Sequence, residues 1–265
     1  MGILSHPLGL SLLLHSVDKY VEERTRVAEL GYMVINGNIK HLDSSLKNLS
    51  NEFKSLFPDA VYNPSNADKR IPNPLIFKTL FKKVDVIDNY VAANKETQAT
   101  IKHDMNLPIS TNYFSQYDLV VDSGTLEHIF NFPQALINIS NILKVGGIVY
   151  HFLPACSWLE HGFSQFSAET LMSWYKINGY DIIHSYYSKQ NKDIDYYSDK
   201  SLNLDNFKIL NLLSKELSKE DFINLKNRAP NEVVDVVIVA KKISNVGSFT
   251  YPQQGFWSDA WKRFS

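Results

Sequence analysis

Residues 117–154, YDLVVDSGTLEHIFNFPQALINISNILKVGGIVYHFLP, constrain the fold more than any other part of the chain. Leu119-Val120-Val121 is short and wholly apolar, the pattern of a strand covered on both faces. Asp122-Ser123-Gly124-Thr125 follows at its carboxyl end, which in an open parallel sheet is where ligands bind. Leu126, Ile129, Leu136, Ile139 and Leu143 recur at helical spacing, interrupted by Pro133, so the chain crosses back over the sheet. Gly146-Gly147 then turns it into Ile148 to Leu153, a second buried strand. The segment reads as a βαβ unit with its polar groups gathered at one edge of the sheet.

The rest of the chain sets limits. At 265 residues it can bury the core of one ordinary to large domain. A formal net charge of −1 supplies no basic field for a nucleic-acid backbone, and no basic run is interleaved with aromatics. The single cysteine, Cys156, excludes an internal disulfide framework and a cysteine-clustered zinc site. Asp and His are scattered without metal-ligand spacing, so no metal is expected. The apolar stretch Leu8 to Leu14 is too short to span a bilayer, and no basic residues precede it as in a secretory signal. It reads as the buried face of a first helix in a cytoplasmic protein. A full G-x-G-x-x-G is absent, which argues against a dinucleotide oxidoreductase.

Further strands lie on both sides. Upstream are Arg26 to Gly31, Val84 to Asp88 and Ala99 to Asp104, the last two ending in carboxylates, with a helix from Asn73 to Phe81 feeding the second. Downstream are Tyr180 to Tyr186 and Val233 to Ala240, VVDVVIVA, the most strongly β-patterned run in the chain. A helix over 168–178 precedes the first of these. Residues 203–227 are expected to be helical, with Leu210, Leu213, Leu217, Phe222 and Leu225 on the buried side. The reading is one domain over 1–243, with an insertion or lid at 36–72, a helical insertion at 200–229 and an aromatic tail at 244–265 that packs on the domain.

The central segment also carries a resemblance. Tyr117 to Val121, then Ser123-Gly124-Thr125-Leu126-Glu127-His128, then Leu143-Lys144-Val145-Gly146-Gly147 resembles the middle of class I S-adenosylmethionine-dependent methyltransferases. In that family a "fDlVv…g.LeH" strand and turn is followed by a helix and "LkpGG"; Val145 here replaces the usual proline. The resemblance implies a Rossmann-like α/β fold with a seven-stranded sheet, order 3-2-1-4-5-7-6, strand 7 antiparallel and helices on both faces. It implies S-adenosyl-L-methionine as cofactor.

A nucleoside cofactor at strand ends needs a tight glycine turn, an acid for the ribose hydroxyls and a polar contact to the adenine. Glu29 and Gly31 are similar to the start of the family's first motif, but the chain continues Tyr32-Met33-Val34-Ile35, and the next glycine is Gly37. Either the loop is rebuilt or Gly31 is an ordinary turn glycine. Gly31 to Asp88 is 88 − 31 = 57 positions, where a compact βαβ unit needs roughly 30; the 36–72 insertion has to account for the excess. Asp88 fits the ribose acid, with a strand-end cap or turn residue as the other reading. Asp104 matches the position that contacts the adenine amino group, with His103 and Met105 beside it to flank the ring. Asp122, Ser123 and Gly124 sit where the family approaches the sulfonium centre. Glu127 reads as an acid in a helix's first turn, and His128 as a site or packing residue.

A second resemblance extends the site. His161-Gly162-Phe163-Ser164-Gln165-Phe166-Ser167 is similar to an "HGFyQFSpe" stretch shared by a group of uncharacterised bacterial methyltransferases, some near surface-polysaccharide or secondary-metabolite genes. It makes His161 the first choice for a base or orienting group and Gln165 a polar reader of substrate. His151 reads as packed or close to the ligands. The Asn/Asp-Pro-Pro-aromatic sequence of methyltransferases acting on DNA or glutamine amines is absent. Together these imply methyl transfer to an oxygen or nitrogen of a small polar, sugar-like metabolite. A catalytically silent ligand-binding or partner subunit is the alternative, and a nucleotide-sugar enzyme a third reading. Oligomeric state cannot be read from the sequence.

Overall fold

A computed structural model describes residues 7–36, 70–89, 100–191, 208–211 and 232–253. The segment 117–154 forms two neighbouring parallel strands, β6 (Tyr117–Asp122) and β7 (Leu143–Cys156), joined across helix α3 (Phe132–Ile142). Upstream lie α1 (Pro7–Tyr20), β1 (Arg26–Leu30), β2 (Val34–Asn36), β3 (Arg70–Pro72), α2 (Asn73–Leu80), β4 (Lys83–Asp88) and β5 (Ile101–Lys102). Downstream lie α4 (Ala168–Ile177), β8 (Tyr180–Asn191), β9 (Lys208–Asn211) and β10 (Glu232–Lys242).

Among the described residues these strands build an eight-stranded sheet in the order β5-β4-β1-β6-β7-β10-β8-β9. Strands β5, β4, β1, β6 and β7 are parallel, and β10 runs antiparallel between β7 and β8. Numbered as the seven expected strands, the first seven positions read 3-2-1-4-5-7-6 with strand 7 antiparallel, the order the resemblance implied. The fold is Rossmann-like, as expected.

Alternation along the strands sorts the core into two layers. Val27 of β1 and Leu119 and Val121 of β6 pack with Leu13 and Val17 of α1 and Ile76 and Phe77 of α2. Ala28, Leu30 and Val120 point the other way, against Leu136 and Ile139 of α3 and Leu171, Trp174 and Tyr175 of α4. Each such large side chain removed from water contributes about 1.5–3 kcal/mol, so both faces of these mostly apolar central strands must be covered.

Four expectations are corrected. The crossover helix begins at Phe132, so Pro133 stands in its first turn, where a missing N–H costs nothing, rather than interrupting it. Leu126 to His128 is a separate short 3₁₀ turn, so Glu127 opens no α-helix. Leu143 starts β7 instead of ending the helix, and Gly146-Gly147 lie within that strand as an irregularity: Tyr117 pairs with Leu143, but Leu119 pairs with Ile148. Finally, residues 208–211 of the expected helical insertion form β9, an edge strand on β8. The other residues of that insertion, including Leu213, Leu217, Phe222 and Leu225, lie outside the described residues.

Residues 37–69, including Gly37, also lie outside. The chain leaves and re-enters at one place, because β2 and β3 pair antiparallel with Val34 opposite Pro72 and Asn36 opposite Arg70. At the other end, Asn178 holds the tail by accepting from Thr250 N and donating to Thr250 O, while Phe249 stacks on Trp174. Phe256, Trp257 and Trp261 are outside the described residues. Among those described, no helix is long and apolar enough to cross a membrane.

Candidate functional site

The carboxyl ends of β1, β4, β5, β6 and β7 share one edge of the sheet, and the candidate residues are distributed along it. Gly31 follows β1 with φ +69°, and a Cβ there would lie 2.4 Å from the Thr125 hydroxyl, which itself donates to the Leu30 carbonyl at 2.6 Å. Glycine is therefore required by the crossing of two strand ends, whatever it contacts beyond them. The turn is held from the other side by Asp88 at the end of β4, whose carboxylate accepts from Tyr32 N at 3.0 Å. Glu29, two residues before the glycine, is completely buried inside β1.

Beyond β5, Asp104 accepts from both the backbone and the side-chain amide of Asn106, and these bonds hold its carboxyl below the usual carboxylate range. Asn106 in turn accepts from Asn131 N, tying this loop to the start of α3. His103 lies beside Asp104 and is half-buried. Met105 is not available to flank a ring: it is 5% exposed, packed in the core beneath the loop.

The residues after β6 divide between interior and edge. Asp122 is fully buried, and its carboxylate accepts from Thr125 N, Leu126 N and His151 Nδ1 at 3.0, 3.2 and 2.7 Å. The same His151 meets the Tyr175 hydroxyl through Nε2 at 2.6 Å. Burial, then the neighbouring Tyr180 and Asp122, push the Tyr175 phenol up, so it keeps its proton and can donate to Nε2. This chain is a strut between sheet and α4. His151 has no exposed surface, which removes it from substrate contact, and the Asp122 carboxylate faces inward. Ser123 is likewise buried; Gly124 takes φ +91°, turning the chain away from β6.

The exposed end of the site is a cluster of Glu127, His128 and His161. Glu127 is 1% exposed by its side chain; burial, and next the charge of Asp122, push its carboxyl up to about 8. His128 Nε2 and His161 Nε2 stand 3.7 and 3.6 Å from Glu127 Oε1, and the two imidazoles meet edge to face at 5.0 Å. Burial holds His128 below the usual imidazole range. The loop after β7 is stapled over this turn: Phe163 N and Ser164 N both donate to the Glu127 carbonyl, at 2.7 and 3.2 Å. Gly162, φ +81°, is needed there, since a Cβ would lie 2.7 Å from that same oxygen. Gln165 is exposed, and its side-chain Oε1 accepts from Trp158 N, closing the loop on itself.

This cluster revises two sequence-based expectations. Glu127 is a buried partner of two histidines rather than a helix-start acid, and a possible metal-ligand set does exist, with its ligand atoms all within 4.8 Å of one another. The available signal was topological: Glu127-His128 and His161 follow neighbouring parallel strands, so their loops emerge side by side.

No family model matches the chain, and no curated protein matches it. Solved structures similar to it include the YcgJ protein from Bacillus subtilis, at 10% identity over 89% of this chain and 99% of that one, TM-score 0.46. A SAM-dependent methyltransferase from Archaeoglobus fulgidus is 15% identical over 89% and 94%, TM-score 0.42. A SAM-dependent methyltransferase from Geobacter sulfurreducens, in complex with S-adenosyl-L-homocysteine, is 14% identical over 90% of each chain, TM-score 0.38. At such identities and TM-scores, the fold rests on the strand order above and not on these neighbours.

Proposed function

We propose that this chain transfers a methyl group from S-adenosyl-L-methionine to an oxygen or nitrogen of a small polar, sugar-like metabolite. One observation carries the reading: the Gly31 turn, tied by Asp88, stands at the same sheet edge as Asp104 and Gly124, as a nucleoside lying across the strand ends requires. On this reading Asp88 accepts from the ribose hydroxyls, Asp104 from the adenine amino group, and the Gly31 and Gly124 backbones line the path to the sulfonium. The methyl carbon leaves sulfur, which keeps the bonding pair as a neutral thioether, and bonds to the acceptor atom, which loses a proton. Alignment and exclusion of water do most of this work. His161 and His128 stand nearest the acceptor end, to take that proton or to orient its group.

Calorimetry with S-adenosylmethionine and S-adenosylhomocysteine tests the reading. Binding is expected, and Asp88→Ala should weaken it at least ~10-fold, the loss of charged hydrogen bonds worth about 1.5–3 kcal/mol. Absence of binding at millimolar cofactor sinks the enzyme reading. Binding without turnover on any acceptor favours the silent-subunit alternative, which is motivated by the missing glycines after Gly31.

A further inference from the structure

We propose that Glu127, His128 and His161 bind one first-row divalent transition-metal ion of the zinc, cobalt or iron(II) type. Two imidazoles and one carboxylate suit such ions, whereas magnesium and calcium prefer all-oxygen sets. Two of the three ligand separations, at 3.7 and 3.6 Å from Glu127 Oε1, are already close to what a metal needs. Donors about 2.1 Å from zinc at tetrahedral corners lie about 3.4 Å apart. The remaining separation, between the histidines, is no more than 4.8 Å and closes by rotation of partly exposed rings.

A second observation points to a ligand. Glu127 is buried, and its Oε2 has no hydrogen-bond partner among the described residues. Leaving a carboxyl oxygen in that state is costly, and a cation between it and the two imidazoles removes the cost. The backbone is committed to the arrangement: Gly162 and the bonds from Phe163 N and Ser164 N bring His161 onto Glu127. The cluster opens outward, with His128 51% and His161 34% exposed, so coordination positions remain for water or an incoming group.

The cation's role rests on the proposed methyl transfer. An acceptor hydroxyl coordinated at an open position is acidified and loses its proton to solvent, leaving an oxygen nucleophile. The two histidines are then ligands rather than bases, and the acceptor is a hydroxyl compound.

The test uses the full chain, freed of metal with a chelator and titrated with Co²⁺ and then Zn²⁺. One equivalent of Co²⁺ should bind with visible d–d absorption that Zn²⁺ displaces. His128→Ala and His161→Ala, both at partly exposed positions, should each weaken binding at least ~10-fold. Glu127→Gln serves as a third variant, and circular dichroism establishes that each is folded. No stoichiometric binding of either ion overturns the proposal, as does binding unchanged in both histidine variants. Calorimetry with S-adenosylhomocysteine on the metal-free protein reads the cofactor site separately, so the two failures are distinguishable.

Discussion

Replacing Gly31 by alanine should couple energetically to Thr125, and the structure sets the size of the effect. An alanine at φ +69° costs about 1–2 kcal/mol for the left-handed backbone alone. Its Cβ would also stand 2.4 Å from the Thr125 hydroxyl, a contact that must be relieved by displacing a group hydrogen-bonded to Leu30 O; such overpacking adds about 1–3 kcal/mol. Gly31→Ala should therefore destabilise by about 2–5 kcal/mol. Thr125→Ala loses the hydrogen bond, about 1 kcal/mol, and the Cγ2 methyl, up to about 0.8 kcal/mol more. It also deletes the clashing atom, and the remaining Thr125 Cβ would lie 3.5 Å from the new methyl, an ordinary contact. In the Thr125→Ala background, Gly31→Ala should then cost only the backbone part, and the double-mutant cycle should show about 1–3 kcal/mol of coupling. Urea unfolding of the four proteins measures this through midpoints at constant slope. Additivity within ~0.5 kcal/mol would refute the contact, and a neutral Gly31→Ala would refute the positive φ itself.

Other outcomes follow from the same geometry. Tyr175→Phe keeps the ring but leaves buried His151 Nε2 without its hydroxyl, so unfolding should show a loss of about 1–3 kcal/mol, and equal stability would contradict the strut. His184 is held below the usual imidazole pKa by burial and then by His15 and Lys19 of α1; the Tyr20 and Tyr186 rings also adjoin it. The unfolded chain takes up this proton first, so stability should decline as pH falls below 6.5, down to the folded-state value, and His184→Gln should flatten that decline. An unchanged pH profile in the variant would remove His184 as its source.

The elements legible in the sequence were those whose burial is set by neighbours along the chain. β6, β10 and the core of β7 are predominantly apolar, β-branched-rich runs, and such runs have few alternatives to a sheet covered on both faces. Their order in the sheet followed from a family resemblance carried chiefly by the segment 117–154. Errors fell where local pattern and tertiary context diverge. The apolar residues from Leu126 to Leu143 share a helical period although only Phe132–Ile142 is α-helix, because period alone does not separate a 3₁₀ turn from the helix behind it. Edge strand β9 carries a pattern that reads equally as helix, and it is a strand because β8 offers it a free edge.

For the site, the sequence by itself determined which residue types would gather at the carboxyl edge: a glycine after β1, acids after β4 and β5, and a small polar turn after β6. Only the tertiary structure decided which of them face inward. Asp122 had looked like a ligand-facing group and His151 like a packed or ligand-proximal one, and they form a buried strut because strands β6 and β7 place Asp122 opposite His151, with Tyr175 of α4 above. Glu127 had looked like a dipole partner, and it is the centre of a cluster because a loop 34 positions later (161 − 127 = 34) folds back onto its carbonyl. Spacing along a chain reports periodicity within one element. The meeting of side chains from two loops depends on strand adjacency and on turn glycines such as Gly162, which take on meaning only once the sheet is assembled.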